Sequence, residues 1–245
     1  MRLRALVLVL LILPGQAGAG DPGAPPLGDG RVTHLEGVVE AGGRRLRVGD
    51  AVTARQVLRV ADEPEARLEL RFADGSLVRL GPRTELTVEA AARRVLLRHG
   101  RLLVQADRMI GGIATWTPLV VLEPLGTTYV VDAAAEAVSV LVLEGAVQVI
   151  RPPTPPERVL LPGEAAHIPP RGERLRTSVR VLLEAIQDEP LVAAFSAPLP
   201  SLARIRDLGD QQRRGLLAGR NERLRRELGW RRPPRKPIVL PELFR

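Results

Sequence analysis

Short apolar stretches separated by glycine-containing turns fill the chain from Arg31 to about Ile168. In residues 67–72, Leu68, Leu70 and Phe72 alternate with Arg67, Glu69 and Arg71. Period-two alternation predicts a strand with one face buried and the other in water. Ala73-Asp74-Gly75-Ser76 turns the chain, Asp-Gly supplying the positive φ of a tight hairpin, and residues 77–80 return it. Residues 85–89 alternate again. Residues 95–98 and 101–104 flank a turn expected at His99-Gly100. Residues 119–122 and 128–131 are further apolar runs, while 137–143 and 146–150 flank Glu144-Gly145. Residues 158–161 and 165–168 flank Pro162-Gly163-Glu164. The pattern predicts a mainly β domain over residues 32–172, built as a short-strand sandwich or a solenoid-like stack.

After Pro169-Pro170 the period changes. Thr177 or Ser178 is expected to cap a helix reaching Asp188, with Val179, Leu182, Leu183 and Ile186 as its apolar stripe. Pro190 ends or bends it. A second helical stretch covers residues 200–228, with Leu202, Ile205, Leu208, Leu217, Leu224 and Leu228 on its stripe. Gly209, Gly215 and Gly219 each cost ~1 kcal/mol against Ala, so two helices or a kink are expected there. A small helical region therefore spans 173–229, followed by a basic Pro-rich tail over 230–245.

The first residues change the compartment. Arg2 and Arg4 precede an unbroken apolar run of nine residues, 5–13, then Pro14-Gly15 and the small-x-small site Ala17-Gly18-Ala19. This is the pattern of a cleavable export signal over residues 1–19. The run is shorter than the ~20 residues a spanning helix needs, so no transmembrane segment is expected after cleavage. Residues 20–31 read as a Pro/Gly linker. The expected location is the periplasm or the exterior.

Composition narrows the chemistry. The chain has no cysteine, which excludes disulfides, thiol nucleophiles and cysteine-held metals. Its three histidines, His34, His99 and His167, are far apart and form no zinc-hydrolase motif. Six aromatic residues among 245 argue against stacking platforms for sugars or single strands. No cofactor, metal or enzymatic activity is expected. Lys and Arg total 36 against 28 Asp and Glu, and the whole excess lies in residues 201–245, where thirteen basic residues face five acidic ones. All the basic residues but Lys236 are arginine, which reads as a GC-rich coding bias. An anionic partner belongs at that C-terminal end, with Arg220, Arg223, Arg225, Arg226, Trp230, Arg231 and Arg232 as candidate contacts. Trp116 reads as a core residue or an exposed contact.

Seven segments in order resemble the FecR domain, found in the periplasmic part of bacterial iron-transport regulators and in many exported proteins. They are residues 37–50, 66–76 with its Asp74-Gly75-Ser76 turn, 80–88, 95–102, 125–131 with Gly126-Thr127, 140–149 with Glu144-Gly145, and 160–164 with Gly163. The stretch before Gly126 is shorter than the family's and lacks its Pro-aromatic pair, Pro118-Leu119 standing there. The named motif residues read as turn formers. The resemblance implies an exported, non-catalytic β domain used for protein contacts, with an envelope or periplasmic protein as its partner. Family regulators begin with a cytoplasmic sigma-controlling segment and a membrane helix; this chain opens on an export pattern, so that role is not carried over. The expected function is a protein-binding scaffold or signalling module of the cell envelope. The alternative is anionic-polymer binding, to envelope polysaccharide or lipid headgroups, through the Arg-rich end. Nucleic acid is not the expected partner.

Overall fold

The computed structural model describes residues 26–106, 112–152 and 158–228. The expected signal, residues 20–25 of the expected linker, and the tail with Trp230, Arg231 and Arg232 lie outside the described residues. The strands in chain order begin with β1 (Gly30–Glu36), β2 (Val39–Ala41), β3 (Arg44–Arg45), β4 (Ala51–Val52), β5 (Val57–Val60) and β6 (Arg67–Arg71). Next come β7 (Leu77–Leu80), β8 (Glu85–Glu89), β9 (Arg94–Gln105), β10 (Ala114–Trp116), β11 (Val121–Pro124) and β12 (Thr128–Ala133). The series closes with β13 (Val138–Glu144), β14 (Val147–Ile150), β15 (Arg158–Leu160), β16 (Glu164–Ile168) and β17 (Arg176–Val179).

These strands pair into two layers. The first runs β4-β1-β6-β7-β9-β12-β13-β16-β17. The second runs β3-β2-β5-β8-β9-β10-β11-β14-β15. Only β9 and β10 pair in parallel among the described residues. The chain passes to and fro between the layers after one or two strands as it advances. The sandwich is thus laid down in a solenoid-like manner, and the two expected architectures are one. The sheet does not close on itself.

The strand β9 belongs to both layers. Its residues 94–99 pair in the second and 100–105 in the first. The turn expected at His99-Gly100 is therefore a bend within one strand. Gly100 has φ +100°, and a Cβ there would lie 2.4 Å from Thr84 Cα and 2.6 Å from the Arg83 carbonyl oxygen. The Thr84 hydroxyl donates to the Gly81 carbonyl (2.7 Å) and accepts the Arg101 N–H (3.0 Å), pinning the bend where the layers join.

Between the layers lies the main core. Leu68, Leu70, Leu102, Val104 and Val131 from the first layer meet Leu58, Leu86, Val95, Leu97 and Val149 from the second. Tyr129 is buried among them, its hydroxyl donating to the Ile113 carbonyl (2.8 Å) and lying 2.8 Å from the Thr115 hydroxyl, so burial costs no unpaired polar group. Leu27 joins this core, and its N–H donates to the Ala90 carbonyl (3.0 Å), so the last residues read as linker are packed.

Four helices follow: α1 (Leu182–Asp188), α2 (Pro190–Ala193), α3 (Leu202–Arg213) and α4 (Leu217–Glu227). The helix expected from Thr177 starts later. Residues 176–179 form β17 instead, because the open edge of β16 takes up their backbone and the β-branched Thr177 and Val179 suit a strand. The break between α3 and α4 falls at Gly215 (φ +73°), one of the three glycines expected to interrupt that stretch. Apolar side chains of the helices (Leu182, Ile186, Leu191, Ile205, Leu208) cover the outer face of the first layer at Leu77, Leu103, Val130 and Leu143. The strands β6 and β7 are consequently buried on both faces, where the alternation had predicted one face in water: Glu69 is 1% exposed and Arg79 is 0% exposed.

Two glycine substitutions should act in opposite directions. Gly100→Ala combines a positive φ with a backbone clash and should cost about 2–4 kcal/mol. Gly219→Ala, on an open surface of α4, should stabilise by about 0.5–1 kcal/mol. Urea unfolding midpoints measure both; an unchanged midpoint for Gly100→Ala would show that β9 crosses the layers without this close approach.

Candidate functional site

The motif residues hold the fold together. Asp74 accepts the Ser76 N–H (2.8 Å) through one carboxylate oxygen and pairs with Arg93 (2.7 Å) through the other. The Thr127 hydroxyl donates to the Ala146 carbonyl (2.7 Å) and accepts the Ala146 N–H (3.2 Å). Gly126, Gly145, Gly75 and Gly163 all have positive φ, and a Cβ on Gly145 would sit 2.2 Å from the Gly126 carbonyl oxygen. Glu144 receives Arg204 of α3 (2.7 Å). Trp116 is 3% exposed, packed with Leu96, Val121 and Ile150, with the Arg94 guanidinium 4.4 Å over its ring. It is a core residue, not an exposed contact.

A buried ion pair docks the helices. Glu69 and Arg79 stand directly opposite in the β6–β7 hairpin. Both side chains point away from the main core, toward the helices. Arg79 donates to Glu69 (2.8 Å) and to the carbonyls of Leu191 (3.0 Å) and Ala197 (2.5 Å), and its guanidinium lies 4.2 Å from the Phe195 ring centroid. Glu69 also accepts from the Thr33 hydroxyl (2.7 Å) and Arg71 (3.0 Å). Burial alone would raise the Glu69 carboxyl; the hydrogen bonds from Thr33 and Arg79 and the Arg79 charge outweigh it and hold the group below the usual carboxylate value. Further along, Thr128 donates to Ser201 (2.9 Å), Ser201 donates to Gln105 (2.9 Å), and Asn221 donates to the Pro162 carbonyl (3.0 Å).

Where α1 ends, the outer face of the first layer is left open. Strand register sets a polar row across it, Arg101–Asp132–Ser139–His167–Arg176. Beside it runs the row Leu103–Val130–Leu141–Ala165–Ser178, on which α1 rests. Between the polar row and α1 lies a groove of about 330 Å³, with Asp188 and Glu189 on its helical wall. Arg101 pairs with Glu189 (2.7 Å), which also caps α2 by accepting the Leu191 N–H (3.1 Å). Burial nevertheless raises the Glu189 carboxyl above its ordinary value, against the pull of Arg101. Among the described residues no group of three or more His, Asp or Glu could hold a metal.

The candidate arginines of α4 divide. Arg225 is engaged by Glu164 of β16 and by Glu222 (3.3 Å), so it holds α4 to the sheet. Arg220 donates to Gln211 (3.1 Å), and Arg223 and Arg226 are exposed.

Residues 58–148 match the family model described as FecR protein. The FecR segment runs from β5 into β14. It contains the Glu69–Arg79 pair, the crossing strand β9 and the Gly126–Gly145 contact, and it leaves out β15 to β17 and the helices. Two crystal structures of a candidate anti-sigma factor from Parabacteroides distasonis ATCC 8503 are also similar. One is 20% identical with a TM-score of 0.44, over 54% of this chain and 65% of that one. The other is 21% identical with a TM-score of 0.44, over 62% of this chain and 73% of that one. The chain thus spans just under two thirds of the first of these relatives. No curated protein matches it.

Sequence reasoning missed the residues that join the FecR segment to its helices. The signal was present: Glu69 and Arg79 have opposite charge and share one face of a hairpin whose register the turn fixes. Arg79→Met should cost about 3–5 kcal/mol, because it strands a buried carboxylate. Adding Glu69→Gln should recover part of that loss. In the wild type, the Glu69 contribution is complete above the ordinary Glu value of about 4.3 and is lost as pH falls through its lower folded value. Denaturant titrations between about pH 3 and pH 7 should therefore show a flatter acid limb for Glu69→Gln, and identical limbs would remove the pair from the account.

Proposed function

We propose that the protein is an exported, non-catalytic FecR-like module that binds another protein of the cell envelope, as a scaffold or signalling element. One observation carries this reading: the FecR motif side chains are spent on holding the two layers and the helices together. Asp74 serves Ser76 and Arg93, Thr127 serves Ala146, and Glu144 serves Arg204. The residues left over for function are on the surface, as a contact module requires. The export pattern at residues 1–19 supports placement outside the cytoplasm.

A second reading has its own support. Arg206, Arg213, Arg220, Arg223 and Arg226 on α3 and α4, and Arg214 in the turn between them, are exposed, and an anionic polymer would meet them there. Truncation at Ser201 would not separate the two readings, because Ile205, Leu208 and Leu217 are part of the packing on the first layer. Substitution does. In-cell crosslinking of the tagged full chain beside its Arg220→Gln, Arg223→Gln, Arg226→Gln variant should recover the same protein partner from both. Recovery of envelope polymer alone, lost in the variant and weakened steeply by salt, would instead establish the second reading.

A further inference from the structure

The first layer ends on an exposed strand. All four residues of β17 are exposed, and Val179 is 73% exposed, with Val181 following at 43%. On one side β17 pairs with β16; no strand among the described residues pairs with the other. The Arg180 N–H donates to the Gly163 carbonyl (2.8 Å). Alternate residues of an antiparallel ladder face the same neighbour. Arg176 and Ser178 therefore share Arg180's direction toward β16, and Thr177 and Val179 turn their N–H and C=O groups to the open edge.

The side chains of this edge also alternate. Thr177 is opposite Ala166, which is in the main core, so Thr177 and Val179 lie on the inner face of the layer. Arg176 and Ser178 lie on the outer face, at the end of the two rows that flank the groove. Arg174, Arg176 and Arg180 are all exposed, and among the described residues none of the three is paired with a carboxylate. The nearest acid on the paired strand, Glu164, is held by Arg225.

We infer that β17 is a docking edge for an extended segment of a partner protein in which acidic residues alternate with β-branched apolar ones. Such a segment would add a strand to the first layer. Its backbone would satisfy the outward groups of Thr177 and Val179, its β-branched side chains would cover Val179, and its carboxylates would meet Arg176 and Arg180. Charge complementarity to the exposed Arg174, Arg176 and Arg180 selects this occupant, whereas a second copy of the chain would bring a second set of the same arginines to the edge. Two β17 strands paired antiparallel about Ser178 would set Arg176 directly opposite Arg180, and like charges facing across a ladder are destabilising. The same arginines keep the open edge from self-association.

The inference rests on the protein-binding reading above and assigns it a surface and a partner chemistry. The test uses the full chain and three synthetic peptides: one alternating Glu with Val, one alternating Lys with Val, and one with the Glu and Val residues in separate blocks. The alternating acidic peptide should bind at least about tenfold more tightly than either of the others. It should slow hydrogen exchange at the Thr177 and Val179 amides. Arg176→Glu with Arg180→Glu, both at exposed positions and checked for folding by circular dichroism, should reverse the preference toward the Lys peptide. Equal binding of all three peptides, acidic binding without protection of those two amides, or a preference unchanged by the charge reversal would each overturn the assignment. So would a dimer in sedimentation that protects the same amides. Recovery of a protein partner crosslinked elsewhere, with no peptide bound at β17, would overturn the edge alone and leave the protein-binding reading standing. Peptide binding with no partner recovered in cells would do the reverse.

Discussion

Glu69 and Arg79 are buried between the first layer and the helices, at 1% and 0% exposure, and neither can be there without the other. Removing two charges from water is costly, and the geometry must return that cost through hydrogen bonds on every side. The sheet supplies some of them, from Thr33 and Arg71. The rest come from the helical layer, whose Leu191 and Ala197 carbonyls accept from Arg79 and whose Phe195 ring lies against its guanidinium. An undocked helical layer would leave Arg79 short of acceptors and would expose Leu77, Leu103, Val130 and Leu143 together. Sheet and helices are thus specified by one another. The pair selects a single docked arrangement as well as stabilising it, because a shifted helix would carry its carbonyls away from the guanidinium.

This docking turns a sandwich into three layers with the first sheet in the middle. It also explains why the strongest periodic signal in the chain was misleading about exposure. In residues 67–71 the alternation correctly gives a strand, but period two reports only that the two faces differ. One face is apolar and the other is charged, and here the centre of the charged face, Glu69, is buried as well. The same limit applies at residues 94–105. Two apolar runs around His99-Gly100 look like two strands and a turn, whereas the glycine is required by the approach of Thr84 from the turn between β7 and β8. That approach is tertiary, so local sequence does not contain it.

Elements whose neighbours are close in sequence were the legible ones. Residues 85–89 and the 67–80 hairpin are found where alternation placed them, and Gly215 separates two helices where a helix interior could not hold it. Residues 176–179 were not legible, because Thr177 is a good helix cap and an equally good strand residue, and only the presence of β16 decides between them. The candidate site follows the same division. That Asp74, Gly126, Gly145 and Gly163 belong to turns was readable, since turn chemistry is local. The second duty of Asp74, as the partner of Arg93, and the use of Arg225 to hold α4 on the sheet both depend on residues far away in the chain.

The edge strand and the buried pair are connected through α3. Gln212 accepts the Leu182 N–H (2.8 Å) and donates to the Arg180 carbonyl (2.8 Å), so one side chain fixes the corner where β17 leaves the sheet and α1 begins. Gln212 is held in place by a helix whose Ile205 and Leu208 pack on the first layer beside the contacts that Arg79 anchors. The edge is therefore presented in an extended form before anything arrives. An unfastened strand of four residues would lose most of its binding free energy to ordering, at ~1–2 kcal/mol for each residue fixed. Fastening it in advance removes that cost from the binding step. In this chain the ladder with β16 and the Gln212 side chain of α3 together hold the short exposed strand in its extended form.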